Sequence, residues 1–516
     1  MKKWYQRYQV WILLALIVLL GTGIRLYNLG ENSFVADEFL DINSSYGYSQ
    51  TGTWKAWDFN SGTPASQNIN DARDERANVY KWQVAQVFKV LPPTEANARL
   101  VSVFWGLISM VLIFFVARYF TKSTAAALLA AFLFALSVSA IIFDRRLRMY
   151  AMFLPVYLAF TTSLYALLEQ EYRGKLKVIE TLWKRYGINI LFVIPTLLLG
   201  VLSFLTHQIT LSIIPVFGVY VLVMAILLWK QGNTKNKYSI LVGLGLVGAV
   251  AFFIVGGWER IEHLFIFFDD HYSYLGYVFN DFGHPLLGAL LVALGAWVLI
   301  REKVTQKQGI WLTLSLVVPL ALSIWLWHRN AGPQYIFFVQ SFTFILTAAG
   351  VSALRPKIRL FHQKLDQRKL LIVIALAILL LPNYGYFLEE NNTFHETSSG
   401  SNPNYRKVFA YFKKNVEPGE VLVTRNFRNY YWSGTNVPVY DFGGELSEKN
   451  FQLSELRALQ AQYPKGWIIV SDNDLDYISN EVEEEFKKLE KVSNSQVRGD
   501  IAIYRWGGEE SGKTSK

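Results

Sequence analysis

The residues best suited to chemistry fall in a few short clusters. Asp37 and Glu38 stand side by side, shortly after the first long apolar run. Two adjacent carboxylates near an interface can supply a general base or hold a divalent cation through oxygen ligands. The plainer alternative is a solvated acidic loop in which Asp37 caps a following helix. A second cluster is Phe143-Asp144-Arg145-Arg146-Leu147-Arg148-Met149-Tyr150. Guanidinium groups bind phosphate oxygens bidentately, so arginines at this density point to a phosphate or diphosphate. Asp144 and Arg148 stand four residues apart and would pair locally on a helix, which still leaves Arg145 and Arg146 to be explained. A third feature is Thr206-His207-Gln208, where a histidine can donate to a phosphate or shuttle a proton. A lone interfacial histidine is more often a hydrogen-bonded loop residue. His328, Arg329 and Asn330 raise the same alternatives. So do Asp269, Asp270, His271 and His284, although their spacing matches no tight metal motif.

The elements that must position these residues are membrane spans. The 516-residue chain is 52% hydrophobic and 16% aromatic with only 17% charged residues, whereas soluble domains average about one quarter charged. Apolar windows between charged breaks predict eleven spans, at 10–29, 99–117, 124–142, 149–168, 188–206, 209–229, 239–257, 285–300, 309–327, 333–353 and 370–388. Lys2, Lys3 and Arg7 precede the first run as in a signal peptide, but Arg25-Leu26-Tyr27 follows it in place of a cleavage site, so it reads as a retained span.

Charge distribution orients the spans. With the N-terminus in the cytoplasm, segments 1–9, 118–123, 169–187, 230–238, 301–308 and 354–369 face inward and carry 22 Lys and Arg. The short outer loops carry five, namely Arg145, Arg146, Arg148, Arg260 and Arg329. The net charge of +10 is thus mostly a matter of topology, and no nucleic-acid partner is needed to explain it. The absence of cysteine excludes thiol catalysis, thiolate metal sites and disulfides.

Two long segments are left outside. The sequence predicts a membrane domain over 1–388 with an outer loop at 30–98, an extracytoplasmic domain over 389–506, and a disordered tail at 507–516. In the second segment the turn Glu417-Pro418-Gly419-Glu420 leads into Val421-Leu422-Val423, Gly466 precedes Trp467–Val470, and a charged helix-like stretch precedes Ile501–Trp506. Helices alternating with short strands predict a small α/β fold. The fold class is therefore an α-helical polytopic membrane protein with a small C-terminal α/β domain.

Taken together, the clusters resemble a known pattern. An acidic pair follows the first span in Ala36-Asp37-Glu38-Phe39, an R-x-x-R-M-Y-A stretch opens the fourth at Arg145–Ala151, and a T-H turn lies between the fifth and sixth at Thr206-His207. This resembles the dolichyl-phosphate-mannose protein mannosyltransferase superfamily, including its aminoarabinose-transferase-like members, over about Trp11–Val223. The resemblance implies the glycosyltransferase C fold, a polyprenyl-phosphate-linked sugar donor and transfer outside the cytoplasm to a protein, lipid or glycan acceptor. On matching positions it implies Asp37 as catalytic base with Glu38 beside it. Arg145 and Arg148 would face the donor phosphate, Tyr150 would support the site, and His207 would lie near it. The chain departs from the pattern twice. Arg146 stands where relatives often carry an acidic residue, so Asp144 is the replacement carboxylate. Gln334-Tyr335 stands where many carry Arg-Tyr, so Arg329 is the substitute phosphate contact.

The implied reaction asks for a carboxylate to take the acceptor proton and cations to stabilise an anionic leaving phosphate. It requires no cofactor, although a divalent metal would be compatible with it. A transporter or flippase of lipid-linked sugars is the main alternative, and would favour polar residues at the bilayer midplane. Here the ionisable residues collect at span ends. An oligosaccharide ligase or polymerase would share the chemistry. A ligand sensor would need far fewer spans.

Overall fold

The computed structural model describes residues 2–35, 37–65, 77–259, 262, 271–279, 281–282, 284–326, 332–353, 404–442, 451–492 and 501–507. The expected span 370–388, Arg329, Asp269, Asp270 and nearly all of the predicted tail lie outside these residues. Among the described residues six helices are long and apolar enough to cross a membrane: Tyr8–Leu26, Glu95–Thr121, Tyr150–Glu169, Gln208–Trp229, Lys237–Ile254 and Gln306–Trp325. Two bent pairs, Thr124–Leu136 with Val138–Asp144 and Lys177–Tyr186 with Ile190–Thr206, raise the number to eight if each is one span. Shorter apolar helices occupy Pro285–Arg301 and Phe337–Ala353. Each of the ten expected spans that fall on described residues coincides with one of these helices, and the chain is a multi-pass membrane protein.

The chain divides into two compact units. The first comprises Met1–Tyr27, Ser102–Arg145 and Met149–Tyr386. Its 62° bend at Ser137 has a local cause. Ser137 is extended, so the helix restarting at Val138 needs partners for its free N–H groups. The Ser137 hydroxyl accepts from Ala140 N at 3.0 Å and donates to Asp281 Oδ2 at 2.8 Å, while Asp281 Oδ1 accepts from Ser139 N at 3.0 Å. One buried carboxylate thereby caps a broken span. Elsewhere in the unit Pro285–Arg301 and Gln340–Ala353 approach until backbones touch. A Cβ on Gly295 would lie 1.9 Å from Leu346 O, and one on Gly350 would lie 2.3 Å from Leu291 O. Small residues permit such contact between membrane helices, where dispersion rather than water drives association.

The second unit comprises Asn28–Val101, Arg146–Arg148 and Phe387–Lys516. A hairpin of β1 (Trp57–Asp58) and β2 (Thr63–Pro64) follows the helix Asp37–Thr51. A five-stranded sheet is built from β3 (Val421–Thr424), β4 (Val439–Asp441), β5 (Gly466–Ser471), β6 (Glu490–Lys491) and β7 (Ile501–Trp506) in the order β4-β3-β5-β7-β6. Strand β3 pairs parallel with β4 and β5, whereas β7 pairs antiparallel with β5 and β6. The parallel pair β3 and β5 is buried at every position, as continuous apolar strands covered on both faces must be. Gly419, at φ +91°, supplies the left-handed residue of the turn into β3.

The sequence assigned 30–98 to the membrane domain, but in the structure this segment packs with the C-terminal part. The reason is a shared aromatic and polar core. Phe39 lies 5.2 Å from Tyr405, 5.7 Å from Phe427 and 5.6 Å from Tyr431 between ring centroids. Tyr431 OH accepts from Phe34 N and donates to Glu95 Oε1, each at 2.7 Å. Arg406 adds bonds to Glu95 Oε1 at 2.6 Å and to Gly30 O at 2.7 Å.

Gly350→Val should lower thermal stability in detergent by at least the ~1–3 kcal/mol typical of overpacking, because backbone rather than a flexible side chain blocks the added atoms. Gly218, with no described atom within 4 Å of its built Cβ, should accept alanine with little change. Equal melting temperatures for the two variants would refute the close approach.

Candidate functional site

The acidic pair of the sequence opens a helix rather than a loop. Asp37 and Glu38 occupy the first turn of Asp37–Thr51, where negative charge is favoured by the helix dipole. They then take different roles. The Glu38 side chain is 2% exposed and forms a two-point pair with Arg99, Nε to Oε1 at 3.0 Å and Nη2 to Oε2 at 2.9 Å. It also accepts from Leu147 N at 2.7 Å and Val35 N at 3.2 Å. Arg99 in turn donates to the carbonyls of Leu29, Asn32 and Ser33 at 2.9–3.1 Å. Glu38 is therefore a positioning residue, fully engaged in tying the entrance of its helix to the Arg146–Arg148 stretch.

Asp37, by contrast, keeps 53% of its side chain exposed. Its Oδ2 lies 2.9 Å from Arg148 Nη2, and the same guanidinium donates through Nη1 to Asp41 Oδ2 at 2.8 Å. Asp37 and Asp41 stand four residues apart on one helical face, so a single fork-shaped cation fits between them. Lys81, buried on the neighbouring helix Asn78–Phe88, adds positive charge near Asp41 and donates to Ser44 Oγ at 3.1 Å. The result is an open carboxylate on a rigid helix end, beside a cation braced from behind.

The electrostatics separate the buried carboxylates. Burial pushes the Glu38 carboxyl up, but the charge and hydrogen bonds of Arg99, the Leu147 N–H and the charge of Arg146 outweigh it and hold it below its ordinary value. Burial also pushes Asp41 up, and there the pull of Arg148 and Lys81 does not offset it, with Asp37 adding to the rise.

Other sequence candidates lie in the first unit. Asp144 ends the helix Val138–Asp144, after which the chain turns, so the helical pairing with Arg148 does not form. Instead Asp144 Oδ2 accepts from Arg25 Nε at 2.7 Å, with both side chains essentially buried. Arg25 also donates to the carbonyls of Gly21, Phe134 and Ala135 at 2.9–3.2 Å. Arg145 does the converse: its Nη1 donates to the carbonyls of Ile24, Arg25 and Tyr27, where the first helix ends. Arg145 meets the carbonyl end of the first helix, and Arg25 that of Thr124–Leu136. Asp144 at 1% exposure and Arg145 at 9% thus join helices, and this geometry gives neither a face open to substrate. Tyr150 and His207 do come together, with ring centroids 5.5 Å apart, and Phe153 lies 5.6 Å from the same imidazole. His207 Nδ1 accepts from Ile209 N at 3.0 Å, which leaves the proton of the neutral ring on Nε2.

Sequence reasoning missed Asp41, Arg99, Lys81 and Arg25. Asp41 was recoverable as the fourth residue after Asp37. Arg99 and Arg25 were recoverable as charges at span ends, which require partners. Nothing local marks Lys81.

Among the described residues no group of three or more His, Asp or Glu is placed to hold a metal ion. Asp37 and Asp41 offer oxygen ligands, but the Arg148 guanidinium lies between them, so they cannot share a dication while that pairing holds.

Comparison with known proteins places this geometry in a fold. ArnT from Cupriavidus metallidurans, solved bound to undecaprenyl phosphate, is similar over 96% of this chain and 98% of its own, with a TM-score of 0.54 at 13% identity. The archaeal oligosaccharyltransferase AglB from Archaeoglobus fulgidus, solved with an inhibitory peptide and a dolichol-phosphate, is similar over 96% of this chain and 74% of its own, with a TM-score of 0.58 at 11% identity. The A. fulgidus oligosaccharyltransferase in complex with Zn and sulfate is similar over 88% of this chain and 67% of its own, with a TM-score of 0.53 at 11% identity. No family model and no curated protein matches the sequence. The chain has the glycosyltransferase C fold that its motifs led us to expect.

Glu38→Gln should destabilise the protein by about 3–5 kcal/mol at neutral pH, the usual effect of stranding one partner of a buried pair. A depressed carboxyl stabilises above its unfolded pKa and loses that contribution as pH falls through the folded value, so the deficit should shrink in acid. Asp41 has the opposite sign. Its raised carboxyl favours the fold below the unfolded value of about 3.9, and that contribution is lost as pH rises. Asp41→Asn should therefore leave the neutral-pH melting temperature unchanged or raised. Melting curves from about pH 3 to 7, with the Glu38 response read below about pH 4.3 and the Asp41 response above about pH 3.9, in which the two variants respond alike would contradict this division.

Proposed function

We propose that this protein is a glycosyltransferase that moves a sugar from a polyprenyl-phosphate donor to a protein, lipid or glycan acceptor at the extracytoplasmic membrane face. The observation that carries the reading is the half-exposed Asp37 carboxylate paired with Arg148 at a helix end, in a fold shared with proteins solved with undecaprenyl phosphate and dolichol-phosphate. The excess of Lys and Arg in alternate loops supports a cytoplasmic N-terminus and an extracytoplasmic C-terminal segment.

Asp37 is the base in this scheme. The acceptor hydroxyl gives its proton to an Asp37 oxygen as its own oxygen bonds the anomeric carbon. The bond from that carbon to the phosphate oxygen breaks, and its electron pair leaves with the phosphate. A leaving group that is already anionic needs positive charge more than a proton. Arg148 supplies that charge by exchanging its bond to Asp37 for one to phosphate, while Asp41 holds the other edge of the guanidinium. Donor binding would then also free the Asp37 carboxylate to act. The resemblance extends the donor side to Tyr150 and His207, and to Arg329 as a second phosphate contact. Arg145 is reassigned to holding the end of the first helix. No metal enters the scheme, since guanidinium groups provide the stabilisation.

Asp37→Asn should lower turnover by roughly 10²–10⁴-fold, the range for a lost general base, with donor affinity retained. Transfer from radiolabelled polyprenyl-phosphate sugars in vesicles reads this directly. Undiminished transfer by a folded Asp37→Asn protein would sink the assignment, and donor crossing the membrane without transfer would favour a flippase.

A further inference from the structure

A second basic region lies in the first unit, on residues that the proposed reaction does not use. The helix Lys177–Tyr186 meets the span Ile190–Thr206 at 101°, so it runs nearly perpendicular to a membrane-crossing helix. Its residue types separate completely around the axis. Val178, Ile179, Leu182, Trp183 and Tyr186 form one stripe, and Lys177, Glu180, Thr181, Lys184 and Arg185 form the other. Among the described residues none of its side chains is buried. Val178 is 72% exposed and Tyr186 51%, while Ile179, Leu182 and Trp183 are half-buried, so the stripe is only partly covered by described protein. A short amphipathic helix at right angles to a span, with much of its apolar stripe exposed, has the form of an interfacial helix lying in the headgroup layer.

A cleft of about 650 Å³ opens beside the C-terminal end of this helix, lined by Arg185, Tyr186, Thr234, Lys235, Asn236 and Lys237 among others. Sites for small ligands span roughly 300–1,000 Å³. No acidic residue is among those lining it. Lys237 braces the wall, because its Nζ donates to the carbonyls of Leu168 and Gly187. Arg185 and Lys235 are exposed at the rim. Asn236 Oδ1 already accepts from Tyr238 N and Ser239 N at 3.0 and 3.1 Å, so the site does not depend on a bare helix terminus.

We propose that this cleft binds the phosphate headgroup of an anionic phospholipid, with Arg185 and Lys235 on the phosphate and the apolar stripe of Lys177–Tyr186 set among the acyl chains. A lipid is the occupant because the exposed apolar surface beside the cleft, on the stripe of Lys177–Tyr186 and at Ile240, adjoins helices long and apolar enough to cross a membrane. Basic pockets at the ends of membrane helices on one leaflet recognise such headgroups. The proposal rests on the membrane-spanning fold and not on sugar transfer, so each can fail without the other.

The test uses the full-length protein in nanodiscs of phosphatidylcholine with a minor fraction of phosphatidylglycerol, followed by native mass spectrometry of the lipid that it retains. Wild type should retain phosphatidylglycerol preferentially, and Arg185→Gln/Lys235→Gln should retain it about 30-fold less strongly, as two interfacial cations imply. Lys177→Gln/Lys184→Gln, on the same helix away from the cleft, should behave as wild type. If the first double variant does not fold, Lys235→Glu at its exposed loop position should show a comparable loss. Equal retention of both lipids, equal loss in the Lys177/Lys184 control, or displacement by glycerol 3-phosphate at concentrations that leave bulk lipid unchanged would each overturn the proposal. The last result would identify a soluble phosphate site instead.

Discussion

The pairing of Glu38 with Arg99 is the interaction on which the candidate site depends. A buried guanidinium must fill its five donors or remain uncompensated, and Arg99 does so by gathering three carbonyls of the loop after the first span together with one carboxylate. That carboxylate also accepts the Leu147 N–H. The segment carrying Asp37 and the segment carrying Arg148 are therefore fastened to one point. The bridging of Asp37 and Asp41 by Arg148 is possible only because this fixed pair lies behind it. Burial and exposure are divided between neighbours in sequence: Glu38 is buried and engaged, whereas Asp37 is half-exposed.

The arginine-rich turn shows the same economy. In the sequence Arg145, Arg146 and Arg148 look like one anion clamp, yet the chain assigns them different tasks. Arg145 closes the carbonyl end of the first helix and Arg148 bridges two aspartates, while Arg25 answers from the opposite direction by holding Asp144. Unsatisfied carbonyls at helix ends carry partial negative charge, so cations near several converging termini are drawn to them before any ligand arrives. The surplus of positive charge on the expected outer side therefore has structural causes.

The second unit is assembled from three separated stretches of chain, joined through one aromatic cluster. Tyr405, Phe427 and Tyr431 surround Phe39, two residues from Asp37, and Asn43 donates to Phe427 O at 2.9 Å. The C-terminal segment thus supports the helix bearing the proposed base.

Much of this protein was legible in its sequence because bilayer burial is a local constraint. A run of about 20 apolar residues has few alternatives to a spanning helix, and its flanking charges bias its orientation. The turn at Glu417–Glu420 and the helix opening at Asp37 were readable for similar reasons, since proline, glycine and capping residues act over a few positions. Which charges meet was not readable. Arg25 and Asp144 are 119 residues apart, Glu38 and Arg99 are 61 apart, and Tyr431 and Phe34 are 397 apart. Those pairings arise when packing removes competing water and leaves each buried charge only the partners that the fold provides. The sequence by itself determined the spans and the candidate side chains; the tertiary structure decided that Asp37 stays open while Glu38 and Asp144 hold the fold, because only packing sets which carboxylate is desolvated and paired.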